Sequence, residues 1–140
     1  MSCSSLARVR YSETDQMGFA YHTHYLVWCE IGRTDFIREM GTTYADLERE
    51  GLLLAVVDAE IRYEKAARYD DLLRIDSRIE RVQTRTVTFR YDITRLEPGP
   101  QQRLARAMTR LIALDGEGVP RSLPPDLLER FRDAIELEIQ

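Results

Sequence analysis

The sequence predicts an α+β fold in which an antiparallel sheet of about five strands wraps around one long buried helix. The chain has 140 residues, the length of one ordinary domain, so residues 1–140 are expected to form a single domain. Residues 21–40 contain no proline and are followed by a glycine, which predicts a long helix. Apolar and polar residues then alternate in several successive segments separated by short turns, the pattern of antiparallel strands.

The amino-terminal part is predicted to contain one short strand and a loop. Between residues 7 and 11, apolar side chains alternate with Arg8 and Arg10, as in a half-buried strand. Residues 1–6 are expected to be a disordered tail. Residues 12–20 show no apolar periodicity and predict a loop that leads into the helix.

The long helix is expected to be buried, because the first half of 21–40 is apolar almost all round. A second, short helix is predicted over 43–50. Thr43 and Asp46 have the spacing of a helix cap there, and Gly51 provides a stop.

Four further strands and a terminal helix complete the prediction. The strands are expected at 57–64, 73–79, 86–94 and 103–114, and the helix at 124–140. Strands joined by tight turns are expected to pair with their neighbours in the sequence, whereas the first strand must return to the sheet elsewhere.

Composition excludes several classes of function. Lys and Arg total 20 against 24 Asp and Glu, a net charge of −4, so no nucleic-acid partner is expected. The longest apolar run, 52–57, is far shorter than the roughly 20 residues of a membrane span, so none is expected. Cys3 and Cys29 do not form a disulfide framework. They are expected to be free thiols, and the protein to be cytoplasmic.

No cofactor or metal is expected either. The sequence contains no phosphate-binding loop and no dinucleotide-binding fingerprint. Its two histidines, His22 and His24, are two residues apart, and no cysteine or carboxylate completes a metal-ligand spacing around them.

The loop before the long helix is the candidate for chemistry. Polar and ionisable side chains concentrate there, among them Glu13, Asp15, Tyr21, His22 and His24. A helix amino terminus offers unpaired N–H groups that stabilise a developing oxyanion, and an upstream carboxylate can attack a carbonyl or deprotonate water. The alternative is that Asp15 only caps a turn.

Two segments resemble those of a known family. The first is a motif in the loop and helix, consisting of Tyr11, Glu13, Thr14, Asp15, Gly18, Tyr21, His22, Tyr25, Glu30 and Arg33. The second consists of Tyr63, Ala67, Arg68, Asp70 and Asp71. Together they resemble the hot-dog-fold acyl-CoA thioesterases of the 4-hydroxybenzoyl-CoA thioesterase and YbgC-like branch. The order of elements fits a hot-dog fold over nearly the whole chain.

The resemblance implies a reaction and roles for particular residues. The chain would hydrolyse the thioester of a small aliphatic or aromatic acyl-CoA, with coenzyme A entering only as part of the substrate. Asp15 would be the catalytic nucleophile or general base, and the backbone N–H of His22 would polarise the carbonyl. Gly18 and Tyr21 would contact the substrate, and the imidazole of His22 would orient the carboxylate, touch the thioester or only satisfy the loop.

Other residues are open to a structural interpretation as well. Arg62, Lys65 and Arg68 form the expected patch for the phosphates of coenzyme A, or else a solvated strand edge. Tyr25 is expected in the core or along the acyl group.

The other conspicuous residues of the long helix have structural expectations. Glu30 and Arg33 are expected to pair as a structural ion pair. His24 is expected at the helix surface or an interface.

The resemblance also implies a homodimer at least, and commonly a homotetramer, because in this family the site forms between two subunits. Two other functions stay open from the sequence. One is an acyl-CoA or acyl-carrier binding module without turnover, and the other is a hot-dog enoyl-CoA dehydratase or isomerase.

Overall fold

The computed structural model describes residues 1–139, and of 136–139 only the backbone. Five strands form one antiparallel sheet in the order β1-β3-β4-β5-β2. They are β1 Ser2–Arg8, β2 Leu53–Tyr63, β3 Leu72–Val82, β4 Thr86–Glu97 and β5 Gln102–Leu114. The helices are α1 His24–Glu39, α2 Tyr44–Arg49 and α3 Pro125–Ile139, and a short 3-10 turn lies at Tyr11–Glu13. The predicted α+β fold, a five-stranded antiparallel sheet around one long helix, is confirmed.

The long helix α1 packs on β1 and β3 through one side only. Trp28, Phe36 and Ile37 lie on that side and are fully buried, whereas Leu26 and Val27 on the other side are about 40% exposed, at 39% and 42%. The predicted burial of the helix therefore holds for the face against the sheet, and its opposite apolar face is exposed. The sheet covers only the face that it curves around, and it leaves the opposite apolar face open.

The first strand lies earlier than predicted, and the expected disordered tail at 1–6 belongs to it. In β1, Cys3 lies opposite Ser77 of β3, and the buried positions alternate with exposed ones. The buried residues are Cys3 and Ser5, which are too small and polar to show the apolar alternation typical of a half-buried strand. Both Cys3 and Cys29 are free, buried thiols.

β2 differs from its prediction in start and in partner. It begins at Leu53, four residues before the predicted start. The prediction missed these residues because an irregularity between Val56 and Asp58 breaks the alternation of apolar and polar side chains. It pairs with β5 and not with β3, so the neighbour rule fails here. Residues 64–71 turn away to the loop before α1 instead of forming a hairpin. β1 and β2 are consequently the two edges of the sheet.

The two shorter helices occur where they were predicted. α2 is capped by Thr43, whose side chain accepts a hydrogen bond from the Asp46 N–H at 3.1 Å. α3 corresponds to the helix predicted at 124–140, of which residue 140 lies outside the described residues. Within residues 1–139, no helix has the length and apolar character that a membrane crossing requires.

Candidate active site

Asp15 lies in the loop between the 3-10 turn and α1, with one carboxylate oxygen held and the other free. Its Oδ1 accepts hydrogen bonds from the N–H of Met17 at 2.9 Å and of Phe19 at 3.3 Å. Its own N–H donates to the Phe19 carbonyl at 2.8 Å, and Gly18 turns the chain with a φ of +81°. Oδ2 makes no hydrogen bond with the residues that the structure describes. The carboxylate therefore closes a turn and still presents one oxygen for chemistry.

The same turn occurs a second time in the chain, at Asp115. There Oδ1 of Asp115 accepts from the N–H of Glu117 at 2.9 Å and of Val119 at 3.0 Å, and Gly118 has a φ of +80°. These backbone donors lower the pKa of Asp115, which is half-buried. An Asp-x-x-Gly turn is thus a general solution for a tight loop. What distinguishes Asp15 is its surroundings.

The start of α1 leaves two backbone N–H groups without a partner. The helix was predicted from residue 21, but it begins at His24, because the N–H of Tyr21 donates to the Glu13 carbonyl at 2.7 Å. The N–H of His24 donates to the Tyr21 carbonyl at 3.0 Å. The N–H groups of His22 and Thr23 make no hydrogen bond within the described residues. They are exposed, next to the positive end of the α1 dipole.

The imidazole of His22 packs on a neighbouring ring and does not contact Asp15. Its ring centre is 4.5 Å from that of Tyr21, which is itself 47% exposed. No hydrogen bond joins His22 to Asp15. Of the two ways in which His22 could serve the site, the structure provides the free backbone N–H.

The second predicted segment meets the loop directly. Phe19 and Arg68 form an antiparallel bridge, and the N–H of Ala20 donates to the Ala67 carbonyl at 2.8 Å. The Arg68 guanidinium carbon lies 4.9 Å from the centre of the Phe19 ring. The N–H of Ala67 donates to the hydroxyl of Tyr25 at 3.0 Å. The two segments that carry the resemblance are therefore joined side by side.

Two tyrosines support the start of α1. Tyr63 donates its hydroxyl to the His22 carbonyl at 2.9 Å, and its ring meets the edge of Tyr25 at 4.9 Å. Burial raises the pKa of Tyr25 and that of Tyr63, so both hydroxyls remain protonated, and Tyr63 donates while Tyr25 accepts from the Ala67 N–H. Tyr25 is only 2% exposed and also packs against Trp28. It supports the loop from within the core, and contact with an acyl group stays a prediction.

A buried carboxylate that the sequence analysis did not single out for a role ties the loop to α1. Oε1 of Glu13 accepts the N–H of Arg10 at 2.7 Å, and Oε2 accepts the indole N–H of Trp28 at 3.3 Å. His24 Nδ1 lies 3.9 Å from the same Oε2. Because its side chain is almost fully enclosed, Glu13 fixes the position of the loop two residues before Asp15. The only sequence signal was its place in the motif.

The three predicted phosphate-binding residues do not form one patch. Arg62 lies on the outer face of the sheet, in an open groove of about 690 Å³ that also contains Arg78, Arg90 and Arg106. Arg68 lies beside the Asp15 loop, and Lys65 is exposed just after the end of β2. Successive residues of a strand point to opposite faces, so Arg62 points away from the face on which Tyr63 supports the loop.

The predicted pair of Glu30 and Arg33 does not form. Arg33 is buried and donates from Nε to the Tyr44 hydroxyl at 2.8 Å and from Nη1 to the Tyr91 hydroxyl at 3.3 Å. Glu30 is exposed, and although its charge acts on Tyr44, it makes no ion pair with Arg33. Neighbouring turns of a helix can therefore face different environments despite the favourable spacing. In the part of the chain that is described, no group of three or more His, Cys, Asp or Glu could hold a metal ion.

Comparison with known proteins identifies the family. The model of the thioesterase-like superfamily matches residues 9–131. The chain belongs to the thioesterase-like superfamily. The hot-dog fold expected from the sequence and the assignment as a thioester hydrolase are thereby confirmed.

Relatives within the superfamily agree in sequence and in fold. The chain is 30% identical over 126 residues to the acyl-CoA thioesterase YbgC of Haemophilus influenzae, which covers 89% of this chain and 90% of that protein. It is 49% identical over 72 residues to the putative acyl-CoA thioesterase YneP of Bacillus subtilis, a match that spans about half of each, 51% and 52%. The DHNA-CoA thioesterase of Staphylococcus aureus has a solved structure that superposes with a TM-score of 0.91 at 27% identity, covering 99% of this chain and 93% of that one.

Proposed function

We propose that this protein hydrolyses acyl-CoA thioesters of small aliphatic or aromatic acids, using Asp15 and the free N–H groups at the start of α1. The proposal depends on one observation. Within the described residues, a single loop contains a carboxylate oxygen of Asp15 and the backbone N–H groups of His22 and Thr23, none of which makes a hydrogen bond. The names of the relatives YbgC and YneP support coenzyme A as the thiol component.

The chemistry follows from these groups. The N–H of His22, together with that of Thr23, holds the thioester carbonyl oxygen and stabilises the oxyanion that forms during attack. Asp15 either removes a proton from an attacking water or attacks the carbonyl carbon itself. In the first route the C–S bond breaks and the thiolate takes up a proton. In the second a mixed anhydride forms first, and water then cleaves it. Both consume one water and yield the free acid and the coenzyme A thiol.

The substrate contacts complete the proposal. Gly18 and Tyr21 are exposed in the same loop as Asp15 and would contact the substrate, and Gly18 leaves room because it carries no side chain. Arg68, next to the loop, and the exposed Lys65 would contact the phosphates of coenzyme A, whereas Arg62 lies on the outer face of the sheet and is not part of this contact. The free thiols Cys3 and Cys29 agree with a reducing compartment, and we infer a cytoplasmic location.

The assembly we propose is a homodimer at least, and a homotetramer by resemblance to the family. The unpaired edge of β2 supports it, since Val56 and Val57 are 48% and 46% exposed there. So does the open apolar face of α1, which carries Leu26, Val27 and Ile31. Light scattering on the protein as it elutes from a size-exclusion column measures its molar mass. The mass of a monomer at micromolar concentration would contradict this assembly.

Release of coenzyme A thiol from a panel of acyl-CoA esters tests the proposed reaction. Asp15→Asn should lower kcat by about a hundredfold to ten-thousandfold, because the carboxylate is lost while an amide oxygen can still accept from Met17 and Phe19. Asp115→Asn is the matched control, because it makes the same change in the same turn far from the site in sequence. Its activity should equal that of the unmodified protein.

Two results would overturn the assignment. One is full activity of Asp15→Asn. The other is an unmodified protein that binds acyl-CoA but releases no thiol from any ester, which would indicate a binding module.

A further inference from the structure

Arg33 is a buried cation without an anion. It is 8% exposed, and its recorded hydrogen bonds go to the hydroxyls of Tyr44 and Tyr91. No carboxylate of the described side chains lies within the 4.0 Å of an ion pair, and Nη2 has no hydrogen-bond partner among them. Buried charges in proteins are normally paired, because removing an ion from water is costly. This guanidinium therefore lacks the partner that its burial calls for.

The two phenols do not supply the missing charge. Burial raises the pKa of Tyr44, and it raises that of Tyr91 to about 12, even though the nearby guanidinium acts in the opposite direction. Both hydroxyls are therefore neutral near pH 7. Tyr91 is also committed to Thr109, whose Oγ1 lies 2.6 Å from the phenolic oxygen. The positive charge of Arg33 is therefore solvated by hydroxyls, while the exposed carboxylate of Glu30 acts on Tyr44 and makes no ion pair with Arg33.

Two elements, α1 and β2, link the proposed site to the surroundings of Arg33, and the distance along each can be worked out. On α1 it follows His24, the first helical residue, by nine positions, or about 13–14 Å of helix. On β2, Tyr63 contacts the site through the His22 carbonyl, and Ala59 lies four residues earlier, at about 13 Å. Ala59 is paired with Thr109, which bonds to Tyr91. The helix and the strand thus connect the site to Arg33 and its partners Tyr44 and Tyr91 over similar distances.

The surface between these two elements is open. On the inward face of β2, Tyr63 is 46% exposed, Ile61 is half-buried and Ala59 is exposed. The inward residues of the central strands are fully buried, as Ile75 of β3 and Phe89 of β4 show. The difference arises because α1 packs mainly on β1 and β3, and it meets β2 at the site end through the rings of Tyr25 and Tyr63. Within one protomer, an uncovered strip therefore runs from the site toward Arg33 and its partners Tyr44 and Tyr91.

We propose that Arg33 binds a carboxylate at the end of the acyl group remote from the thioester, so that ω-carboxyacyl thioesters are preferred over plain acyl thioesters of equal length. The inference rests on the proposed function, since it takes the acyl group to leave the Asp15 loop along the strip. A carboxylate is the ligand that matches an unpaired guanidinium in charge and in geometry.

Binding and turnover of matched substrates test the proposal. Non-hydrolysable thioether analogues of coenzyme A, ending in a carboxylate or in a methyl group at equal chain length, are compared by calorimetry over a series of lengths. The carboxylate should improve affinity by about tenfold to a hundredfold at the best length, the usual range for a hydrogen bond to a charged group. The same preference should appear in kcat/KM for the corresponding esters.

Variants assign the preference to Arg33. Arg33→Met should abolish it, and Arg33→Lys should retain part of it because the charge remains. Arg38→Met is the matched control on the exposed side of α1, where Arg38 pairs with Asp35, and it should keep the full preference. If Arg33→Met does not fold, the comparison of Arg33→Lys with the unmodified protein still decides.

The outcomes separate this inference from the proposed reaction. Equal affinity for the two analogues at every length overturns the role of Arg33, however fast the esters are hydrolysed. A preference that survives in Arg33→Met overturns it as well. A preference that Arg33→Met removes, in a protein that hydrolyses no ester, supports the carboxylate site and refutes the proposed hydrolysis.

Discussion

Replacing Gly32 by alanine tests how closely α1 packs on the sheet. A Cβ at this position would lie 2.8 Å from Cγ2 of Ile75, and nearer still to Oγ of Ser77. Ordinary contacts between carbon atoms are about 3.5–4.0 Å, so α1 must move off β3 by roughly 1 Å. Ile75 cannot turn away, because a β-branched side chain is stiff at χ1.

The expected loss of stability combines two opposing effects. Overpacking of this kind costs about 1–3 kcal/mol, and the better helix propensity of alanine offsets about 1 kcal/mol. Because two contacts are violated, we expect Gly32→Ala to lower the free energy of unfolding by roughly 1–2 kcal/mol. Urea denaturation followed by circular dichroism measures it. Gly116→Ala is the control, since no atom lies within 4 Å of its added Cβ.

A second substitution checks the cause. The hydroxyl of Ser77 is buried without a hydrogen-bond partner, so Ser77→Ala alone should be neutral or slightly stabilising. Combined with Gly32→Ala it removes one of the two violated contacts, and it should recover about half of the loss. Stability of Gly32→Ala equal to that of the unmodified protein, or no recovery in the double variant, would refute the packing argument.

Two further predictions concern charge. Burial raises the pKa of the Cys29 thiol from 9.0 to about 12, so between these values the folded protein keeps a proton that the unfolded chain releases. The free energy of unfolding should therefore fall as the pH rises from 9 toward 12, and Cys29→Ala should make that decline shallower in urea titrations; an identical slope would contradict this. For the phosphates, Arg68→Ala should raise KM for an acyl-CoA about twofold to fivefold, most strongly at low salt, whereas Arg62→Ala on the outer face of the sheet should leave KM unchanged. Acyl-pantetheine, which lacks those phosphates, is the control substrate. An equal rise in KM for acyl-pantetheine would show that the arginine does not contact the phosphates.

Periodicity predicted most of the fold because most elements bury one apolar face. β3 and β4 show it best, since most of their inward residues are large and apolar, whereas β5 alternates with smaller inward residues such as Ala107 and Thr109. β1 escaped the pattern because its inward positions are Cys3 and Ser5. The partner of β2 escaped it too, since no local signal shows that residues 64–71 pack on a loop far earlier in the chain.

The candidate site was predictable in identity but not in surroundings. Asp15 and His22 were found through a motif, yet the same Asp-x-x-Gly turn recurs at Asp115, where it is only structural. Spacing on a helix predicted that Glu30 and Arg33 would pair, but spacing does not tell which side the sheet covers. Arg33 is buried and Glu30 is exposed, so only the three-dimensional structure shows that Arg33 is a buried charge without an ion-pair partner.

The bridge between Phe19 and Arg68 has a consequence for how this enzyme can change during evolution. The loop that holds Asp15 takes part of its shape from a segment nearly fifty residues away, through backbone bonds such as that from Ala20 to Ala67. Insertions or substitutions in 64–71 would shift the carboxylate without altering any residue of the motif. Two relatives with identical loop sequences can therefore diverge in substrate through this distant segment alone.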